Sequence, residues 1–512
     1  MKLIHITSLI VTLGLLTSCN LPLKPRPTLE FPTAIPTQAA QTPDSFGTPD
    51  AAATPLVPPS ATDQPVIPST GGEHKGDLVT YTVQAGDSLP ALAQRFQTSE
   101  KDITALNPWL VAGGQPTTLP PGRALSIRLA VKPDWDSQAV LLPDYLFVNG
   151  PAQVGFDVAD FLSHTHGWLK DYLDPSTVIT RSGAKMVEDF AQNYSISPRL
   201  LLALLEYQLH ALSQPDPPAS FSLGSPDSYR IYLSMQLSWA ANALNNGYYG
   251  WRQGDLTQFN AADGSPIIPS PWENAASIAL RFYFSRFLSG KDYQAAVAPA
   301  GLLHTYQALF GGIDWSAASD TPLLPGNLRQ PELTLPFHPG LRWALTGGPH
   351  SGWGVGDPLA ALDFAPPSTQ TGCDPSPQWA TAVADGVVAH SADGLVVLDL
   401  DGDGNIQTGW TIQYLHIDQK TAPALGTHLK TGDLLGHPSC DGGHANGRNL
   451  HIARLYNGEW IPIGGAVPFV LDGWTAELGE KEYLGTLRRG DDVVTANPNG
   501  EWMSLIEAGA AQ

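Results

Sequence analysis

A chain of 512 residues is too long for one small fold and long enough for about three domains of roughly 150 residues. Lys and Arg number 27 against 48 Asp and Glu, so 27 − 48 = −21 at pH 7, a charge that repels phosphate backbones and excludes nucleic acid as a partner. Three cysteines exclude a disulfide framework, and 50 Gly with 46 Pro demand long loop or linker stretches beside the packed modules.

The chain starts with Lys2, an apolar run from Leu3 to Leu16, and then Leu16-Thr17-Ser18-Cys19. A charged start, a short apolar core and small residues describe a secretory signal over 1–19, too short to span a bilayer. Leu-Thr-Ser-Cys resembles a bacterial lipobox. That resemblance implies lipid attachment at Cys19 and an exported protein anchored to the bacterial cell membrane, facing the cell wall. Residues 20–77 turn to Pro, Thr, Ala and Ser and read as a disordered linker.

Alternation begins at Val79–Val83, followed by a turn at 84–87 and a helical pattern with Leu89, Leu92, Ala93 and Phe96 on one face and Ser88 placed as cap. A second short helix over 101–106 and a return strand over 125–129 complete a βααβ unit spanning 78–130. Tyr81-Thr-Val-x-x-Gly-Asp-Ser-Leu89, Ala93-Gln-Arg-Phe96 and Leu106-Asn107-Pro108 resemble a LysM domain. The resemblance implies binding of the N-acetylglucosamine-containing glycan of peptidoglycan or chitin, and so attachment to the wall through peptidoglycan glycan strands.

Residues 135–325 are mainly α-helical by pattern, with Pro198 in the first turn of an apolar helix. Ile196 through Gln208 resembles the catalytic helix of lysozyme-like enzymes, which cleave glycosides by protonating the leaving oxygen from a carboxylic acid. Gln208 stands where that family carries its acid, and an amide cannot donate the proton, so this lysozyme-like domain reads as non-catalytic.

From 330 to 512, short β-rich runs separated by Gly turns argue an antiparallel sheet, making the whole chain a multidomain α+β protein. His350, Asp363 and His451 supply two imidazoles and a carboxylate, the donor set of a catalytic zinc (Zn2+) site with an open fourth position. The segments around them, with Asp385-Gly386-Val387-Val388 and Gly432–His437, resemble the zinc metallopeptidases of the lysostaphin and β-lytic type; the step 363 − 350 = 13 fits the long-spaced form. The resemblance implies His416 as a catalytic residue and a His-x-His strand, yet position 449 holds Asn where that motif has its first His. Asn449 can hydrogen-bond an oxyanion but cannot exchange a proton near neutral pH. His444 lies five positions upstream in a Gly-rich loop, a poor support for a replacement base.

Cys373 and Cys440 flank the site segments and, in an exported protein, read as a disulfide. Asp399, Asp401 and Asp403 resemble the first half of a calcium (Ca2+) loop, but Trp410 occupies the twelfth position, leaving a tight acidic turn as the alternative. Three function classes remain. The first is a zinc endopeptidase that hydrolyses the cross-links between peptide stems of peptidoglycan. The second is a catalytically silent peptidoglycan-binding lipoprotein, a scaffold or regulator of other wall hydrolases. A glycosidase in the middle region is the third.

Overall fold

The computed structural model describes residues 74–111, 118–130, 135–136, 140–176, 180–315, 322–368 and 372–509. The signal segment, Cys19 and residues 20–73 of the linker lie outside the described residues. Among the described residues, no helix is long and apolar enough to cross a membrane.

The first module follows the sequence pattern closely. Strand β1 (Leu78–Thr82) pairs antiparallel with β2 (Ala124–Arg128), and helices α1 (Leu89–Arg95) and α2 (Glu100–Leu106) lie between them. Ser88 caps α1 by accepting the Ala91 N–H, and Ser99 does the same for α2 through Asp102. The apolar face of α1 joins Tyr81, Ile103 and Leu125 in a small core that also takes in Trp135 and Trp272 from beyond the module.

The middle region is built on α3 (Gly183–Tyr194), α4 (Pro198–Leu209), α5 (Leu233–Gln253) and α6 (Ala275–Ser285). Ser197 caps α4 and Pro198 occupies its first turn, where a missing N–H removes nothing from the helix ladder. The α5 helix ends at Gly254, with φ of +85°, and a Cβ there would stand 2.8 Å from the Ala91 Cα of the first module. Glycine is needed at 254 for the left-handed turn and for the close approach alike.

The C-terminal region holds β3 (Arg342–Ser351), β4 (Leu359–Ala365), β5 (Gly386–Ala392), β6 (Leu395–Asp399), β7 (Trp410–Leu415), β8 (His428–Leu429), β9 (Leu450–Tyr456), β10 (Glu459–Trp460) and β11 (Leu505–Glu507). Among the described residues these form one antiparallel sheet in the order β8-β5-β6-β7-β9-β4-β3-β11, with β10 paired to β9. A smaller sheet over 470–495 covers part of one face. The other face is not solvated. Ala360, Ala361, Ala453, Leu455 and Trp460 belong to the same apolar core as the helices, which explains why β9 is buried along nearly its whole length.

The modules are therefore joined by packing rather than strung on linkers. Where they meet, the Arg252 guanidinium on α5 bonds the Ala85 carbonyl of the first module and pairs with Glu459 of β10 at 3.0 Å and Asp144 at 3.2 Å. Tyr248 donates its hydroxyl to Glu459 at 3.1 Å. Burial, with a smaller contribution from the Asp144 carboxylate, pushes Glu459 up to about 7 against the pull of Arg252. A second buried pair, Arg95 with Asp87 at 2.9 Å, also donates to the Trp251 carbonyl from the first module. Removing one partner of a buried pair leaves the other charge uncompensated, a loss of about 3–5 kcal/mol. Arg252→Met should lower stability by that order, and adding Glu459→Gln should recover part of it. Denaturant unfolding of the full chain checks the order; equal midpoints for wild type and Arg252→Met would contradict it.

Candidate metal centre

Strand register brings the proposed ligands together. His451 on β9 lies directly opposite Asp363 on β4, and Asp363 lies opposite Gly347 on β3. The β3–β4 ladder slips between 345 and 347, between 347 and 350, and again after 350. Such irregularities re-aim a side chain, and here they swing His350 into the same cavity. Adjacent Gly347-Gly348-Pro349 is the sequence signal of that irregularity.

His350 Nε2 lies 3.1 Å from His451 Nδ1, and Asp363 Oδ1 lies 3.4 Å from each. A tetrahedral ion with bonds of about 2.1 Å holds its ligand atoms about 3.4 Å apart, so this triangle has the size of one face of a zinc site. The tautomers agree with that role. His350 Nδ1 donates to the Gly348 carbonyl at 2.8 Å and His451 Nε2 to the Gly352 carbonyl at 3.1 Å, which leaves the two inward nitrogens as lone pairs. Two lone pairs and a carboxylate facing one another repel unless positive charge stands among them. Burial opposes ionisation of Asp363, but His350 and His451 hold it well below the usual carboxylate range. Burial works against protonation of His350 too, yet Asp363 raises its pKa, whereas burial lowers that of His451. A proton satisfies one edge of the triangle; a divalent cation satisfies all three ligands.

The triad floors an open cleft of about 670 Å³. His416 follows β7 in the left-handed region at φ +68° and lines the cleft. Its Nδ1 donates to the Asp441 carbonyl at 3.1 Å, which leaves Nε2 as the lone-pair nitrogen. Burial, reinforced by His451, lowers its pKa, so it is neutral at pH 7. Asn449 also lines the cleft, its Oδ1 buried without a hydrogen-bond partner among the described residues. His444 is exposed on the cleft's Gly-rich rim. Tyr483, which the sequence did not single out, stacks on the His350 ring with centroids 4.3 Å apart. Its backbone pairs with β3: the Tyr483 N–H donates to the Pro349 carbonyl, and the Tyr483 carbonyl accepts the Gly348 N–H.

Cys373 and Cys440 form a disulfide beside the cleft, next to the Ser439–Asn449 bridge. Asp399, Asp401 and Asp403 do converge, but the N–H groups of Asp401, Gly404 and Asn405 and the Thr408 hydroxyl already occupy their oxygens. Burial and the neighbouring Asp401 push Asp399 up to about 6. This is a tight acidic turn, and a calcium site is not supported. In the helical region, Gln208 bonds the Tyr283 hydroxyl and Glu206 accepts the Leu212 N–H at 2.7 Å. Both side chains thus have hydrogen-bond partners within the helical region.

Comparison with known proteins defines the modules first. A LysM domain matches residues 81–128, and the region likened above to lysozyme, 140–322, matches the LasA N-terminal domain. The chain is homologous to Protease LasA of Pseudomonas aeruginosa PAO1, 27% identical over 349 residues that cover 64% of this chain and 77% of that protein. Protease LasA of strain UCBPP-PA14 is 26% identical over the same shares. Among solved structures, the deep-sea M23 metalloprotease pseudoalterin shares 22% identity, covering 33% of this chain and 96% of its own, with a TM-score of 0.28. The catalytic domain of lysostaphin from Staphylococcus simulans shares 18%, covering 24% and 88%, with a TM-score of 0.16. The homology to Protease LasA supports the enzyme reading of the C-terminal region.

Gly347 tests the triangle without touching a ligand. A Cβ at 347 would stand 2.6 Å from Asp363 Oδ2. Gly347→Ala should displace the carboxylate and weaken divalent-metal retention by about 10–100-fold, the usual effect of disturbing a ligand's support. Competitive chelator titration reads the change, and unaltered affinity would show that Asp363 does not set it.

Proposed function

We propose that the protein is a zinc endopeptidase that hydrolyses peptide cross-links of peptidoglycan, with the LysM domain engaging glycan strands and a lipid at Cys19 retaining the chain at the membrane. The observation that carries this reading is the convergence of His350 Nε2, Asp363 Oδ1 and His451 Nδ1 at 3.1–3.4 Å in an open cleft that His416 also lines. Zinc, when bound by these three residues, supplies the Lewis acidity that polarises a peptide carbonyl and brings the pKa of water near neutrality.

The chain's own groups do the rest. His416 Nε2, unprotonated at neutral pH, takes the proton of the attacking water and returns it to the departing amine. Its left-handed backbone and the bond to Asp441 fix the ring for that transfer. Asn449 can donate from its amide to the oxygen that gains charge, a stabilising role that needs no proton exchange.

Asn449 also motivates a second reading, in which the site binds metal but turns over nothing and the protein acts as a peptidoglycan-binding scaffold or regulator. Zinc analysis should find about one ion per purified chain, lost in His350→Ala and His451→Ala; zinc-free wild type in metal-replete buffer would sink both readings of the centre. Turnover on purified wall separates them. Asn449→His should raise a weak activity by about 10²–10⁴-fold, and His416→Ala should abolish it with zinc retained. Silence in wild type and in Asn449→His alike would leave the scaffold.

A further inference from the structure

One wall of the metal cleft is a loop that the C-terminal region does not hold by itself. Trp353, Gly354 and Val355 line the cleft between β3 and β4, and Val355 is 64% exposed. Among the described residues, none from the helical region reaches the cleft lining, yet that region fixes the loop's shape from behind.

Three successive backbone donors of the loop are taken by side chains. Val355 N–H donates to Asn242 Oδ1 at 2.8 Å, Gly356 N–H to Glu482 Oε1 at 3.1 Å, and Asp357 N–H to Asn246 Oδ1 at 2.7 Å. Asn242 and Asn246 stand four apart on α5, so they present their amides on one helix face. Gly354 and Gly356 have φ of +82° and +83°. A Cβ on Gly354 would fall 2.2 Å from Asn242 Oδ1, and one on Gly356 would fall 2.3 Å from Asn246 Oδ1. The two glycines thus serve the left-handed turns and the close contact with α5 together. Glu482, the third acceptor, precedes the Tyr483 that stacks on His350, so the loop is tied to the opposite side of the metal centre as well.

A glycine-rich exposed loop is entropically expensive to order, and a loop meant to grip a ligand through its backbone would keep its N–H groups free. This loop spends three of them, at 355–357, on fixing itself, and Trp353 and Val355 are among the residues it contributes to the cleft. We propose that Asn242 and Asn246 of the helical region are positioning residues for substrate: they set the 352–358 loop so that Trp353 and Val355 form a preshaped wall against the peptide of the cross-link. The identity of that peptide rests on the endopeptidase reading; the anchoring does not.

Hydrogen exchange on the full chain, paired with binding of soluble cross-linked muropeptide by calorimetry, tests both parts. Asn242→Ala should speed exchange in 352–358 by about tenfold or more, with β9 unchanged, and weaken muropeptide binding by about tenfold, as expected when one anchoring hydrogen bond is lost. Zinc content should stay at the wild-type level. Asn242→Asp keeps the acceptor oxygen for Val355 and loses the Nδ2–H bond to the Ser238 carbonyl, so it should recover exchange and affinity in part, a rescue that a merely destabilised helix would not give. Gly354→Ala attacks the same contact from the loop and should reproduce Asn242→Ala if that variant folds poorly. Unchanged exchange in 352–358 overturns the anchor, and faster exchange with unchanged affinity overturns the role in binding. If wild type itself fails to bind muropeptide, the substrate role falls together with the peptidoglycan reading, while the exchange data still report on the anchor.

Discussion

The cross-strand pairing of β9 with β4 is the constraint from which the rest of the centre follows. His451 and Asp363 face each other in that ladder, so their side chains share one face of the sheet. Because side chains alternate with a period of two, a slip of one residue between the strands would leave His451 and Asp363 on opposite faces. The layers resist such a slip. Ile452 packs into the core under the smaller sheet, while Ala453 and Leu455 pack against the helices. A sheet buried on both faces has no register in which misplaced imidazoles and carboxylates are tolerated, so hydrophobic burial sets the geometry of the candidate centre.

Burial on both faces also explains why the helical region is not a detachable spacer. Its core is continuous with the back of the sheet, and the α5 helix reaches the first module through Arg252 and Gly254 and the cleft loop through Asn242 and Asn246. Isolated ion pairs at a surface contribute little, but Arg252, Glu459, Asp144 and Tyr248 form a buried network in which each group depends on the others being present. Such a junction stabilises one arrangement of the modules more than it stabilises any one of them. For a chain held on the wall, the spacing between the LysM module and the cleft is then set by packing rather than by linker length.

What could be read from the sequence divides along the same physical line. Local patterns were legible: Ser88 as a cap, Pro198 in the first turn of its helix, the βααβ order and the antiparallel strands. The disulfide between Cys373 and Cys440 was legible too, since export and two flanking cysteines left little else for them. Long-range packing was not. Nothing in the periodicity of 135–325 says that its helices share a core with β9 and β10, and Tyr483 lies 133 positions (483 − 350) from the ring it stacks on. The acidic turn at 399–405 shows the converse case, in which residue types suggested a cation and backbone donors supplied the partners instead. Nor does the sequence say that Gly354 and Gly356 meet α5, which gives each a steric reason.

Asn449 is where the site departs from a pattern that is otherwise complete, and its consequence is chemical rather than structural. The position keeps its backbone bond to Ser439 at 3.3 Å and its place in the cleft, so neither the fold nor the ligand triangle depends on an imidazole there. An amide beside the reacting carbonyl can follow developing charge with a hydrogen bond, which lowers the barrier without a proton changing hands. It cannot share the transfer to the leaving amine. On the endopeptidase reading proposed above, that task is assigned to His416 alone, a single ring that has to serve both steps from one fixed position. His416 is held by its left-handed backbone and by Asp441, so rigidity that suits the first step limits the second. On that reading, Asn449 bears on rate far more than on binding, because the cleft and the ligand triangle keep their architecture without an imidazole there.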